Sequence, residues 1–233
     1  MRFVAWAMSS VLVMPPAMLF AGQVGAPQIH TPDRAQAEIS FQFERPGVSV
    51  PRFSIRLHED GTGSYQAEQV ERPSTDTSVR GEEAQHIDRA IQLSPATVER
   101  LFKTARGFNY FDTTCASKVK NVADTGKKTL SYTGTDGHGS CIYNYSDNKN
   151  IEAAGDTFIA IAYTLDEGRR LEFLHRYDRL GLDAEMTMLA QEAEAGRAME
   201  LGNISKTLTA IADDMAVMQR VRLRAVKLLD QTK

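Results

Sequence analysis

Residues 53–70 read FSIRLHEDGTGSYQAEQV. Phe53, Ile55 and Leu57 alternate with Ser54, Arg56 and His58, the period of a strand with one face in water. Glu59-Asp60-Gly61 then carries the turn chemistry for a reversal into a second strand over Gly63 to Val70. The stretch is a β-hairpin, and it sets the expectation of an antiparallel sheet.

Flanking segments extend that sheet. Ile39, Phe41 and Phe43 alternate with Ser40 and Gln42 before Arg45-Pro46-Gly47 breaks the pattern, so order is expected to begin at Ala37. Glu71 to Glu83 is polar, carries Pro73 and Gly81, and reads as an exposed loop. His86 to Leu93 reads as a further strand with Arg89 as a charged interruption. Ser94-Pro95 marks a helix start, with Ser94 as N-cap and Pro95 at the first position. Val98, Leu101, Phe102 and Ala105 make one apolar stripe that ends at Gly107.

The chain has two cysteines, Cys115 and Cys141. Between them Asp124-Thr125-Gly126 reads as a turn, Lys127 to Thr133 as a strand, Gly134 to Gly139 as a glycine-rich turn and Ser140 to Tyr145 as the returning strand. Asp147 to Asn150 caps a helix whose apolar positions run from Ile151 to Leu165. Beyond Asp166 the alternation stops. Leu171, Leu174 and Tyr177 mark a new helix or a continuation, Leu182 to Ala193 another, and Ile204 to Ile211 a third. A last helix, capped by Asp213 or Asp214, turns Met218, Val221, Ala225 and Leu228 inward.

At the other end, Arg2 precedes an uncharged run from Phe3 to Ile29 that is most apolar up to Ala21, the layout of a secretory signal peptide. Pro15 and Pro16 oppose a straight spanning helix, so cleavage between 21 and 26 is expected over retention as an anchor. The expected organisation is a signal peptide over 1–22, a tether over 23–36, an α+β domain over 37–165 and a helical subdomain over 166–233. Trp6, the sole tryptophan, leaves with the signal. Export makes a Cys115–Cys141 disulfide the natural pairing, and a loop of this size contributes about 3 to 4 kcal/mol in the chain-entropy account.

The full chain carries 27 basic and 30 acidic residues, a net charge of −3 that losing Arg2 takes to −4. Near-neutrality gives no electrostatic footprint for nucleic acid or an acidic membrane surface. No phosphate loop, EF-hand, dinucleotide fingerprint or zinc spacing appears in the sequence, so no cofactor and no metal is expected.

Weak candidates remain. Glu172 and His175, with Asp178 three residues on, share a helical face in the spacing of carboxylate-bridged metal bundles, but the second Glu-x-x-His is missing and a solvated face is the plainer reading. His138 and Ser140 lie together in a glycine-rich turn that fails the G-x-S-x-G elbow. Lys118, Lys120, Lys127 and Lys128 give the cysteine loop a basic bias suited to an anionic partner or, more simply, to a solvated sheet edge. Arg220, Arg222, Arg224 and Lys227 suit acidic lipid, a partner helix or their own helix dipole.

The succession FSIRLHEDGTGSYQ, LSPATVERLFKTARGFNYF and ADTGKKTLSYTGTDGHGSCIYNYS resembles a family of small bacterial envelope and secreted domains of unknown function, over roughly Phe53 to Leu165. That resemblance implies an α+β fold and brings no catalytic residue. LTAIADDMAVMQRVRLRAVKLL is similar to one HEAT-type hairpin, but its turn is long and single, and an ordinary amphipathic pair accounts for it.

The expected fold is therefore α+β: an antiparallel sheet of five or six strands, helices on one face, then a C-terminal helical subdomain. The expected function is a non-enzymatic binding module of the cell envelope, periplasmic or secreted, whose partner is a protein or small molecule. A periplasmic hydrolase and a structural subunit of an envelope assembly are the alternatives.

Overall fold

The computed structural model describes residues 36–69, 85–119 and 122–232. The expectations for the signal segment, most of the tether, the 71–83 loop and Lys120 lie outside them.

Six strands form one antiparallel sheet: β1 (Glu38–Glu44), β2 (Arg52–His58), β3 (Thr62–Gln69), β4 (Gln85–Gln92), β5 (Lys127–Thr133) and β6 (His138–Tyr143). Their order across the sheet is β4-β3-β2-β1-β5-β6. Alternation decides the faces, because successive side chains of a strand point to opposite sides. Phe41 lies opposite Ile55 and Leu130, and these continue to Tyr65 and Cys141. That inner face is buried.

The outer face is mostly polar, with Ala90 and an exposed Ile142 as its apolar members. One row reads Ala90, Ser64, Arg56, Ser40, Ser131, Ser140, and the next reads Asp88, Gln66, Ser54, Gln42, Thr129, Ile142. A sheet face of this composition is stable in water without a covering layer.

α1 (Pro95–Gly107) and α2 (Lys149–Tyr177) lie on the inner face. Ser94 caps α1 by accepting the Thr97 N–H, and Asn148 caps α2 by accepting from Asn150 and Ile151. Phe158 of α2 stacks on Phe41 with ring centroids 5.1 Å apart. α2 resolves the choice between a new helix and a continuation, because it runs unbroken for 29 residues. The 165/166 division falls inside it. Its first half belongs to the sheet's apolar cluster, and its second half, with Leu171, joins a second cluster built with α3 (Leu182–Glu194), α4 (Ser205–Asp213) and α5 (Gln219–Asp230).

Some details depart from the sequence reading. Tyr177 is exposed at the end of α2 rather than packed inward. α5 starts after Met218 with no side-chain cap, while Asp214 accepts from the Ala216 N–H and so caps the preceding turn instead. Arg220 and Arg224 of α5 both reach Asp183 of α3, and Lys227 reaches Glu194, so these bases face acids of the same chain.

After α1 the backbone turns left-handed at three consecutive non-glycine residues, Asn109, Tyr110 and Phe111, with φ of 50°, 57° and 66°. Each such residue costs about 1 kcal/mol or more, so packing must hold the turn. Phe111 is buried, and the Tyr110 ring fills the space where a Cβ at Gly137 would stand 2.3 Å away. Gly139 is crowded in the same way by the backbone of Tyr110 and Asp112. These two glycines admit the crossing segment, a stronger demand than turn chemistry alone. From there the chain runs beside β6, and the Cys115–Cys141 disulfide fastens it.

Candidate functional site

A cleft of about 1310 Å³ lies between the β2–β3 turn, the start of α1 and the C-terminal part of the chain. Each wall can be traced to local sequence. Glu59-Asp60-Gly61 reverses the hairpin, with Gly61 at φ 84° where a side chain would be strained, and the Leu93 N–H donates to the Gly61 carbonyl at 2.9 Å. Asp60 accepts from the Thr62 hydroxyl and N–H, which hold its carboxyl below the usual range.

The far wall is fastened by two residues. Glu200, left-handed at φ 58°, accepts from the Ser94 N–H at 2.8 Å and the Ser94 hydroxyl at 2.7 Å. Asn203 pairs with the backbone of Gln92, accepting its N–H at 2.8 Å and donating to its carbonyl at 3.0 Å. That side-chain amide completes the end of edge strand β4 as a neighbouring strand would. Asn203→Ala should lower stability by about 1 kcal/mol. It should also raise hydrogen exchange at the Gln92 amide, and unchanged exchange there would remove the latch from the account.

Arg106 closes the near end. Its Nε donates to Asp136 at 2.8 Å, a second nitrogen bonds Glu59, and the same nitrogen reaches the Tyr132 hydroxyl at 3.2 Å. Tyr132 donates in turn to Asp136 at 2.6 Å. The hydrogen bonds from Tyr132 and then Arg106 hold the Asp136 carboxyl below its ordinary value. Burial, then the Asp136 bond, pushes the Tyr132 hydroxyl up to about 12. Arg106 thus ties the β2–β3 turn to the β5–β6 turn through Glu59 and Asp136.

What remains open in the cleft is Glu99 and Lys103 on the exposed side of α1, above the buried side chains of Val98, Phe102 and Leu201. The Ser94 hydroxyl already donates to a carboxylate, and among the described residues lining the cleft there is no histidine or cysteine. The cleft thus presents two exposed charges of opposite sign over an apolar floor.

None of the described candidates read from the sequence lines this cleft. Lys128 is buried, 3% exposed, and its Nζ bonds Glu152 Oε1 at 2.8 Å and sits 5.4 Å from the Tyr143 ring centroid. It is neither on a solvated edge nor open to an anionic partner. Lys127 pairs with Glu44 at 3.5 Å, and Lys118 is exposed. His138 is exposed at the start of β6, while the Ser140 hydroxyl is bonded to Ser131 at 2.9 Å. His175 turns to Asp214 at 2.9 Å, Asp178 accepts the Gly181 N–H at 3.2 Å, and Glu172 stays exposed, so the three do not converge. Among the described residues no group of three His, Cys, Asp or Glu is placed to hold a metal ion. Glu200 and Asn203, which build the far wall, had no local signature. Their partners are 106 and 111 residues away.

No protein-family model and no curated protein matches the chain. The disulfide, and the lack among the described residues of any helix long and apolar enough to cross a membrane, are compatible with an exported protein.

Proposed function

We propose that this is a non-enzymatic binding module of the cell envelope, exported through its N-terminal segment, and that the cleft beside α1 is its ligand surface. The supporting observation is the cleft itself: fixed ionic walls, one free carboxylate and one free ammonium on α1, and a lining serine that is locked in a capping role. The mostly polar outer face of the sheet is stable in water without a covering partner, which favours the cleft as the ligand surface.

Exchanging the two free charges, Glu99→Lys with Lys103→Glu, leaves the helix and its cap intact while inverting the cleft's pattern. Affinity capture from envelope extracts should then lose at least tenfold of what the wild-type protein retains. Identical capture by both proteins would sink the reading.

A further inference from the structure

Glu167 of α2 and Glu185 of α3 are buried carboxyls, 8% and 6% exposed, on two helices that pack together. Arg170 reaches Glu185 Oε2 at 2.8 Å, while Glu167 Oε2 is buried without a partner. The Tyr163 hydroxyl, one helical turn before Glu167, is buried and unpartnered too. Asp166 on the same helix is paired with Arg169 at 2.5 Å and adds only a minor further push on Glu167. Glu192 of α3 faces the Tyr163 side and is itself held by Arg197. Arg170 thus bonds one of the two buried carboxyls and leaves a Glu167 oxygen unpartnered, an arrangement relieved when one of them carries a proton.

The proton has a structural consequence through the chain that follows. After α3, Gly196 turns at φ 72° and leads to Ala198, Glu200 and Leu201, which wall the cleft. The Met199 N–H donates back to the Ala160 carbonyl of α2 at 3.5 Å. Whatever loosens α3 from α2 loosens this wall.

We infer that Glu167 and Glu185 form a proton-operated clasp that docks α3 and the cleft wall when protonated and weakens when the shared proton leaves. It stands whatever the cleft binds. With the proton in place, Glu167 donates to Glu185, whose charge Arg170 balances; without it, two buried carboxylates oppose each other. Burial first, then Glu185, pushes the Glu167 carboxyl up to about 8. The sign follows from linkage: a carboxyl raised on folding contributes fully below its unfolded value near 4.5, and that contribution is lost as pH rises through about 8.

Unfolding by urea from pH 5 to 9 tests this on the intact protein. The wild-type unfolding equilibrium constant should rise by up to about tenfold per pH unit between pH 5 and 8, where the folded state keeps one proton that the unfolded chain has released. Glu167→Gln, which mimics the protonated form, should remove that slope. Hydrogen exchange on the wild type should show protection falling with pH in α3 and residues 198–204 ahead of the sheet. Equal slopes in the two proteins, or loss of protection that spares α3, would overturn the clasp. Should the variant fail to fold, the ¹³C shift of the wild-type Glu167 carboxyl decides: a midpoint above pH 6 supports the clasp, and one near 4.5 refutes it.

Discussion

Serine at both 115 and 141 lowers the free energy of unfolding by about 3 kcal/mol and makes the protein self-associate. The first effect comes from releasing a cross-link between residues separated by 26 positions, both nearly buried. The second comes from what the cross-link holds. Between the left-handed turn and Ser117 the chain lies along β6, with Asp112 and Tyr110 backbone atoms against Gly139 and the Ser117 N–H donating to the Tyr145 carbonyl at 2.9 Å. Without the disulfide, the turn at Asn109 to Phe111 can relax to ordinary dihedrals, and β6 is left as an open edge ready to pair with another copy. Urea midpoints and sedimentation across a concentration series report the two effects separately. An unchanged midpoint, or a variant that stays monomeric throughout, would show that the covering segment holds without its fastening.

Lys128→Ala lowers stability by about 3 kcal/mol, the scale of removing one partner from a buried ion pair. The ammonium lies between β5 and the start of α2, and among the described residues Glu152 is its salt-bridge partner, with Asp156 near enough to feel its charge. The other Glu152 oxygen accepts the Ser146 N–H at 3.0 Å, so the pair joins strand, loop and helix at one point. After substitution the carboxylate keeps that N–H and the favourable start of the helix, which is why the loss is not larger. Lys128→Met combined with Glu152→Gln should recover most of it, because an apolar pair of similar volume avoids the desolvation cost. If Lys128→Ala unfolds at the same denaturant concentration as wild type, the pair contributes nothing and the strand is held by its neighbours alone.

Alternation and helical spacing made most of this architecture legible. Phe53-Ile55-Leu57 and Leu130-Tyr132 defined the buried sheet face, and Ser94-Pro95 and Asn148 marked both helix starts on it. The same parity puts Lys128 on the inner face with Leu130 and Tyr132; reading the lysines as one surface run set that aside. Glu167 was also readable in phase, since Ala160, Thr164, Glu167 and Leu171 recur at helical spacing and all are buried. Three features had no such signal. The Asn109-Tyr110-Phe111 turn lacks the glycine that usually announces left-handed backbone. Glu200 and Asn203 act on Ser94 and Gln92 across more than a hundred residues, a distance over which no period can speak. The cleft exists only because those distant pieces meet.

The unbroken course of α2 through both apolar clusters makes it an axle, about 43 Å long at 1.5 Å per residue. Severing the chain near Asp166 would not separate two bodies at a hinge; it would saw through the axle and leave a raw apolar stump on each side. The halves of this protein are therefore not interchangeable parts. Any exchange or excision has to carry α2 whole, together with the residues that seat on both of its ends.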